Sequence, residues 1–379
     1  MRIIIYESSS SGGIFDYGVT LLNYFSKNSS VDSVELIVPS STEIGTTTSS
    51  IKKILLSDKV KFRLFSRVKF LFRHFINPLI FFIYLIRLGR ARKFIIFNDF
   101  EQLSSFIWVI LFKLFFKNHL FAIYLHDPDR DLYPPSKKIS EVSMRLIMSL
   151  MNFAFYHEKL PVKKYYNLTS RTRYIKVPFG YYSKTEIDTK LSMELSNNKV
   201  NTKFITILGN IRSEKNYELA IRLLQKFENI KLLIAGSPST SSPIVSDLII
   251  LAKDLGVENR IIWIVKYLTE SEMASVIEAT DLILLNYKSS FKSQSAILNS
   301  IAAYKKQILV SRTESALTYI VDYYKIGVLV KPDNFDDLLK KLPEALSYNN
   351  DVSWDNYLLY ASWENHVTIV LNEFKNCIQ

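Results

Sequence analysis

The chain has 379 residues, 48% hydrophobic and 13% aromatic, a composition that excludes intrinsic disorder and favours two domains at roughly 100–200 residues each. Its single cysteine, Cys377, excludes an internal disulfide framework and reads as an unreactive tail residue in a reducing compartment. The net charge of +12 is concentrated: positions 52–93 hold twelve Lys or Arg against one acid, Asp58, so the other 337 residues are nearly neutral. That distribution, without a helix-turn-helix or an RNA-binding signature, argues against nucleic acid as a partner.

The elements follow in chain order. Residues 2–6 form an apolar run followed by a small polar loop, the pattern of a first strand. A secretory signal would need a longer apolar core and a cleavage site, so a cytoplasmic protein is expected. A helical pattern covers 15–26, and strands are predicted at 34–39, 94–98, 120–125, 153–157 and 174–177. Continuous apolar strands alternating with helices point to a parallel sheet covered on both faces. A polar stretch at 186–202 reads as a linker. A second series follows, with strands at 204–208, 231–235, 261–265, 282–286, 308–310 and 327–330. The segment 354–374 reads as one long helix that either packs back on the N-terminal domain or is a plain terminal helix. The expected layout is an N-terminal domain (1–185), the linker (186–202), a C-terminal domain (203–355) and a terminal helix (356–379). Two doubly wound α/β domains facing a cleft would place ligands beyond the carboxyl ends of their strands.

The basic stretch 59–92 interleaves cations with Phe, Leu and Ile. A helix over 61–73 would carry apolar residues on one side and Lys or Arg around the rest, as helices do that lie on anionic membranes. The apolar runs 75–86 and 106–116 fall short of the ~20 residues of a spanning helix. The expectation is a protein peripheral to the inner face of the plasma membrane, docked through 59–92; core helices with a solvated basic face are the alternative.

Two loops carry candidate chemistry. Gly12 and Gly13 close the turn into the first helix, where a backbone without side chains lets a ligand approach. After the strand 204–208, Gly209 is followed by Arg212 and Lys215, just ahead of a helix. A guanidinium that grips phosphate oxygens in pairs, with an ammonium as a point charge, suits a diphosphate.

The segment Gly-Asn-Ile-Arg-Ser-Glu-Lys-Asn at 209–216, with the helix that follows it, resembles the phosphate-binding segment of glycosyltransferase family 4, the group 1 glycosyltransferases of the GT-B fold. Further segments keep the family's order: the strand and glycine at 231–238, the stretches 267–273 and 279–287, the helix and strand at 293–311, and the turn at 327–334. The likeness covers about 203–345 and is loose in the N-terminal half, at Gly12-Gly13, His126-Asp127-Pro128 and 177–180. It implies a GT-B enzyme that uses a UDP- or GDP-linked sugar as substrate, needs no separate cofactor or metal, and retains configuration. Its acceptor would be lipid-linked or a saccharide, in bacterial capsule, O-antigen or exopolysaccharide synthesis, alongside partner transferases. By the same resemblance Arg212 and Lys215 neutralise the donor diphosphate. Gly209, Gly236, Tyr287, Ser293, Gln294, Ser295 and Asn299 line the nucleotide-sugar site. His126 contacts the donor sugar or the acceptor, or is a locally bonded structural histidine. Asp127 is a base if the reaction inverts, or caps the Asp-Pro turn.

The sequence departs from the family at one place. No Asp or Glu occurs between Asp281 and Glu314, where the family carries two glutamates eight positions apart. Asn299 stands near the place of the second and is the candidate to bond the ribose. Asp127, Asp129 and Asp131 approach a metal-binding pattern but read as loop chemistry. A non-catalytic GT-B subunit and a sugar-nucleotide epimerase are the alternatives to a transferase.

Overall fold

The computed structural model describes residues 1–43, 50–59, 66–132, 134–166, 171–238, 245–292, 294–348 and 351–377. The chain divides into two compact units, Met1–Pro178 with Trp363–Gln379, and Phe179–Ser362.

The first unit holds a seven-stranded parallel sheet. Its strands are β1 (Arg2–Tyr6), β2 (Ser33–Pro39), β3 (Ile51–Leu55), β4 (Phe94–Phe97), β5 (Leu120–Leu125), β6 (Phe153–Tyr156) and β7 (Arg173–Lys176), in the order 3-2-1-4-5-6-7. The reversal of order beside β1 leaves a crevice at the carboxyl ends of β1 and β4, the usual ligand position in such sheets. β1 and β4 read as unbroken aliphatic and aromatic runs because both faces are covered. Strand β3 is missing from the sequence reading. It runs Ile-Lys-Lys-Ile-Leu, and its two lysines merged with the basic stretch; an edge strand tolerates them, and they discourage pairing with another sheet.

Four helices of the chain's first half cover this sheet: α1 (Gly13–Ser26), α2 (Ser66–Arg87), α3 (Ser105–Phe115) and α4 (Lys137–Met148). The sequence reading broke α2 into a basic and an apolar piece, each too short to span a bilayer. The structure joins them in one helix that runs through Pro78. Within it, Val68–Arg87 is long and apolar enough to cross a membrane by length and composition. One face of α2 is tied to the unit's own core: Asn77, Phe81 and Leu85 are fully buried, and the Asn77 side chain accepts the Leu56 N–H at 2.9 Å. Residues 60–65, the start of the basic stretch, lie outside the described residues.

The second unit is a six-stranded parallel sheet in the order 10-9-8-11-12-13. Its strands are β8 (Lys203–Leu208), β9 (Ile230–Ala235), β10 (Ile261–Ile264), β11 (Leu282–Leu285), β12 (Gln307–Ser311) and β13 (Val328–Val330). Around them lie α5 (Thr189–Asn198), α6 (Tyr217–Leu223), α7 (Val245–Asp254), α8 (Glu270–Ala279), α9 (Ala296–Ile301), α10 (Ala316–Tyr324), α11 (Phe335–Ser347) and α12 (Asp351–Tyr360). The stretch read as a linker therefore contains a helix, α5. Asp188 caps it by accepting the Leu191 N–H at 2.8 Å, and Leu195 is buried in the second unit. Its polar sequence is that of a helix with one narrow apolar contact.

The long terminal helix of the sequence reading is two helices, α12 and α13 (Trp363–Lys375). Their apolar residues enter different cores. Trp354 and Tyr357 of α12 are buried in the second unit. In the first unit, α13 buries Trp363, His366, Val370 and Phe374, with the Phe374 ring stacked 4.4 Å from Phe94. One continuous helix would hold these two sets on a single rigid rod, so the chain breaks at 361–362.

Candidate functional site

In the second unit the site is built around the loop after β8. Gly209 ends the strand with φ +85°, and a Cβ there would lie 2.5 Å from Ile297 Cδ1. Gly236, at the end of β9, has φ +149°, and its Cβ would lie 2.4 Å from the Gly209 carbonyl oxygen. The two glycines thus let neighbouring strand ends touch backbone to backbone. The N–H of Gly236 is bonded to Ile264 O at 2.9 Å. Gly236 shapes the loop, therefore, in place of the ligand contact predicted for it.

The loop folds back so that Lys215, 5% exposed, donates to Leu208 O at 2.6 Å. Burial pulls its pKa down to about 7, helped by the neighbouring Arg212 and opposed by Glu214. A buried ammonium answered mainly by one carbonyl favours an arriving anion strongly. Arg212 is half-exposed and sits 3.7 Å from Glu214, close to the buried Tyr287 hydroxyl. The two predicted phosphate-binding cations do converge on the carboxyl end of β8.

Around them the loops are tied together. Tyr287 stacks on Phe291 at 3.9 Å, and its hydroxyl meets Ser295 Oγ at 2.9 Å. Asp333 accepts from Asn216 Nδ2 and from Ser289 N–H, each at 2.9 Å, and Lys288 N–H donates to Glu214 O at 2.8 Å. Sequence reading missed Asn216, Asp333 and Asn286 as site residues. Asn216 and Asp333 stand within the quoted family segments and share a positive φ, which side-chain chemistry alone does not reveal.

Two predicted ligand contacts are placed differently. The hydroxyl of Ser295, 4% exposed, is engaged with Tyr287. Asn299 is fully buried, and its amide donates to Phe179 O at 2.7 Å and Gly180 O at 3.3 Å, while its oxygen accepts from Gln294 Nε2 at 3.4 Å. Its side chain is thus engaged within the protein at both the amide and the oxygen. Ser293 lies outside the described residues. Gln294 remains a candidate: its Oε1 is buried without a partner among the described residues, as is Nδ2 of Asn286 at the end of β11. Orphaned polar atoms such as these mark a place that a hydroxyl-rich ligand would complete.

In the first unit, polar groups gather at the carboxyl ends of β1, β4 and β5. Gly12 has φ +95°, and a Cβ on Gly12 or Gly13 would meet nothing within 4 Å. Behind this loop, Glu7 is fully buried and accepts from Asn98 Nδ2 at 2.5 Å and Ser9 N–H at 2.8 Å. Burial, reinforced by Asp99, raises the Glu7 pKa to about 8. Asn98 also donates to Ile14 O at 2.8 Å, so its Oδ1 accepts from His126 Nε2 at 2.9 Å. His157 lies 3.4 Å from the other His126 nitrogen. Burial, the neighbouring His157 and His366, and Arg130 hold His126 well below the usual imidazole range, so it is neutral. His126 therefore has the local bonds of the structural histidine that the sequence offered as one of its two readings, and it stands half-buried at a strand end. Asp127 follows it in the turn. Asp129 and Asp131 hold Lys163 at 2.6 and 2.7 Å, so both carboxylates are answered by an ammonium.

Each unit is a doubly wound parallel sheet, and two such units in one chain define the GT-B class. The glycosyltransferase of Rickettsia africae superposes with a TM-score of 0.71 at 14% identity, over 100% of this chain and 98% of that one. The HepE protein of Anabaena, solved in complex with UDP, superposes with a TM-score of 0.68 at 12% identity, over 100% and 99%. At these identities the likeness is one of fold. Residues 188–354 match the family model of the glycosyl transferases group 1. D-inositol 3-phosphate glycosyltransferase of Mycolicibacterium smegmatis is 27% identical over 152 residues, 38% of this chain. The match spans about a third (34%) of that relative's length.

Proposed function

We propose that this protein transfers a sugar from a UDP- or GDP-linked donor to a lipid-linked or saccharide acceptor in bacterial cell-surface polysaccharide synthesis. The observation that carries the reading is the pair Arg212 and Lys215 at the end of β8, inside the family segment, with Lys215 buried and near neutrality. As the glycosidic bond breaks, negative charge grows on the departing diphosphate. Two cations fixed beside it stabilise that charge without reorganising. They supply by side chains the neutralisation that a divalent metal would otherwise give, which supports a metal-independent transfer. Gln294 Oε1 and Asn286 Nδ2 are suited to the donor's hydroxyls. In the first unit, His126 is neutral and its Nε2–H is held by Asn98, so its part toward a sugar hydroxyl is to accept a hydrogen bond at Nδ1. The transfer is read as retaining; an inverting course would fall to Asp127 as base, and the anomer of the product decides between them.

A lipid-linked acceptor suits the surface of α2 and α3. Val68, Phe70, Leu71, Phe72 and Ile86 of α2, and Phe106, Ile110, Leu114 and Phe115 of α3, are exposed. Phe82 and Phe115 join the two rows at 5.3 Å, and the cations of 66–93 accompany them. Of those cations, Arg87, Arg90 and Arg92 are exposed, a combination that suits the inner face of a membrane with anionic lipid.

The test is thermal stabilisation by UDP, GDP, CMP and ADP, on the native protein and on Arg212→Ala with Lys215→Ala. A diphosphate at 100 times its Kd adds about 2.7 kcal/mol. Stabilisation by one diphosphate, lost in the double variant, is expected. No response to any nucleotide would overturn the transferase reading in favour of a non-catalytic subunit.

A further inference from the structure

At the opposite end of the first sheet from His126, the chain turns from α3 into β5 at His119. This histidine is 5% exposed, and among the described residues neither ring nitrogen has a hydrogen-bond partner. Its ring lies parallel to Phe116 at 5.3 Å and 11°. It lines a pocket of about 210 Å³ with Phe116, Lys113, Lys117, Ser149 and Asn152 among its walls. A buried imidazole normally bonds at least one nitrogen, because leaving both bare forfeits its hydration with no return.

The other polar groups of the pocket offer hydrogens. Lys113 Nζ donates to Ser149 Oγ at 2.7 Å, and the Lys117 ammonium stands beside it at the surface. Asn152 Oδ1 already accepts the Phe121 N–H at 2.8 Å, which leaves its NH₂ as the free end. The carbonyls at the ends of α3 and α4 are partly answered: Phe112 O takes the Phe116 N–H, Arg145 O takes the Ser149 N–H, and Leu146 O takes the Ser149 hydroxyl. No carboxylate or thiol lines the pocket, which disfavours a cation. Lys93, buried nearby, adds positive charge.

We propose that this pocket is a binding site for a phosphate group, held by the His119 imidazole with Lys113, Lys117 and Asn152. The site is distinct from the strand ends where the donor is placed, and it does not rest on the transferase reading. A free phosphate ester and an anionic lipid headgroup share this chemistry. The exposed apolar row on α3 that ends at Phe115 would bring a headgroup within reach.

The chain has five histidines, so ¹⁵N-histidine labelling gives a simple ring spectrum of the full-length protein. One arm titrates inorganic phosphate against sodium chloride of equal ionic strength. The other adds vesicles of phosphatidylglycerol or of phosphatidylcholine. Saturable shifts of the His119 ring nitrogens with phosphate, weakened about tenfold in Lys117→Ala, are expected for a phosphate-ester site. Shifts with phosphatidylglycerol vesicles but not with free phosphate assign the headgroup. Absence of shifts in both arms, or equal shifts with chloride, overturns the proposal. His119→Phe preserves the stack on Phe116 and should abolish phosphate binding while leaving UDP stabilisation intact. Should that variant fail to fold, Lys113→Ala with Lys117→Ala carries the same test at the surface.

Discussion

Asn299 on α9 donates its amide to the carbonyl oxygen of Phe179 at 2.7 Å, where the chain enters the second unit. The residue that sequence comparison offers to the ribose is therefore a fastener for residues 179–180. Asn299→Ala leaves two carbonyls short of a donor and should cost about 1–3 kcal/mol of stability. Nucleotide affinity of the folded fraction should stay within about twofold. Gln294→Ala should do the reverse, weakening UDP about tenfold with little change in melting. Calorimetric titration and thermal melts of the two variants separate these roles; a large loss of affinity in Asn299→Ala would return it to the ligand.

Lys215 gives the nucleotide site a pH dependence with a definite sign. Its folded pKa is about 7, below the ordinary 10.5. Between those values the unfolded chain binds more protons, so this residue makes the empty protein more stable as pH rises from about 7 toward 10. Diphosphate affinity should move the other way and fall as pH climbs above 7, with proton uptake on binding near pH 8. Titration in two buffers of different ionisation enthalpy measures that uptake. Lys215→Met should stabilise the empty protein and remove both the uptake and most of the affinity.

Acid should unfold the first unit through its buried histidines. Burial lowers His157 to about 4 and His366 to about 3. His366 joins Tyr124 at 2.7 Å to the Pro178 carbonyl, also at 2.7 Å. Both groups are neutral when folded and charge when unfolded, so stability present above pH 6.5 is lost as pH falls toward 4. The gap from the ordinary 6.5 corresponds to about 3 kcal/mol for His157 and about 5 kcal/mol for His366, lost in full only below the folded values. Melts across pH 7 to 4.5 should show a steep fall, flattened in His366→Gln. An unchanged slope in that variant would remove His366 from the account.

Gly236→Ala tests the backbone contact between strand ends. The new methyl would stand 2.4 Å from Gly209 O at a φ of +149°, and the strain should exceed about 2 kcal/mol. Because the displaced loop carries Arg212 and Lys215, UDP affinity should drop together with the melting temperature. An alanine at Gly13, where no described atom lies within 4 Å, is the control for melting temperature alone.

Membrane docking is tested on the exposed face alone. Phe72→Glu with Leu114→Glu removes two exposed side chains and should abolish flotation with phosphatidylglycerol vesicles, with a melting temperature within a few degrees of native. Retained flotation would leave the apolar rows of α2 and α3 without a lipid role.

The sequence by itself determined the two parallel sheets and the place of the cations Arg212 and Lys215 at a strand end. Buried parallel strands must be continuous apolar runs, and a strand that ends in glycine with Arg212 and Lys215 close behind is a local pattern. Tertiary structure decided what depends on distant partners. Lysines of β3 hid a strand because an edge needs no second apolar face. The polar surface of α5 hid a helix that is anchored by little more than Leu195. Side-chain direction was likewise out of reach: Ser295 and Asn299 carry the right chemistry for a nucleotide but bond Tyr287 and Phe179. The buried His119, bare at both nitrogens, reads in the sequence as one more residue between two elements. Only the packing of Phe116 against it, and of α4 beside it, makes it a site.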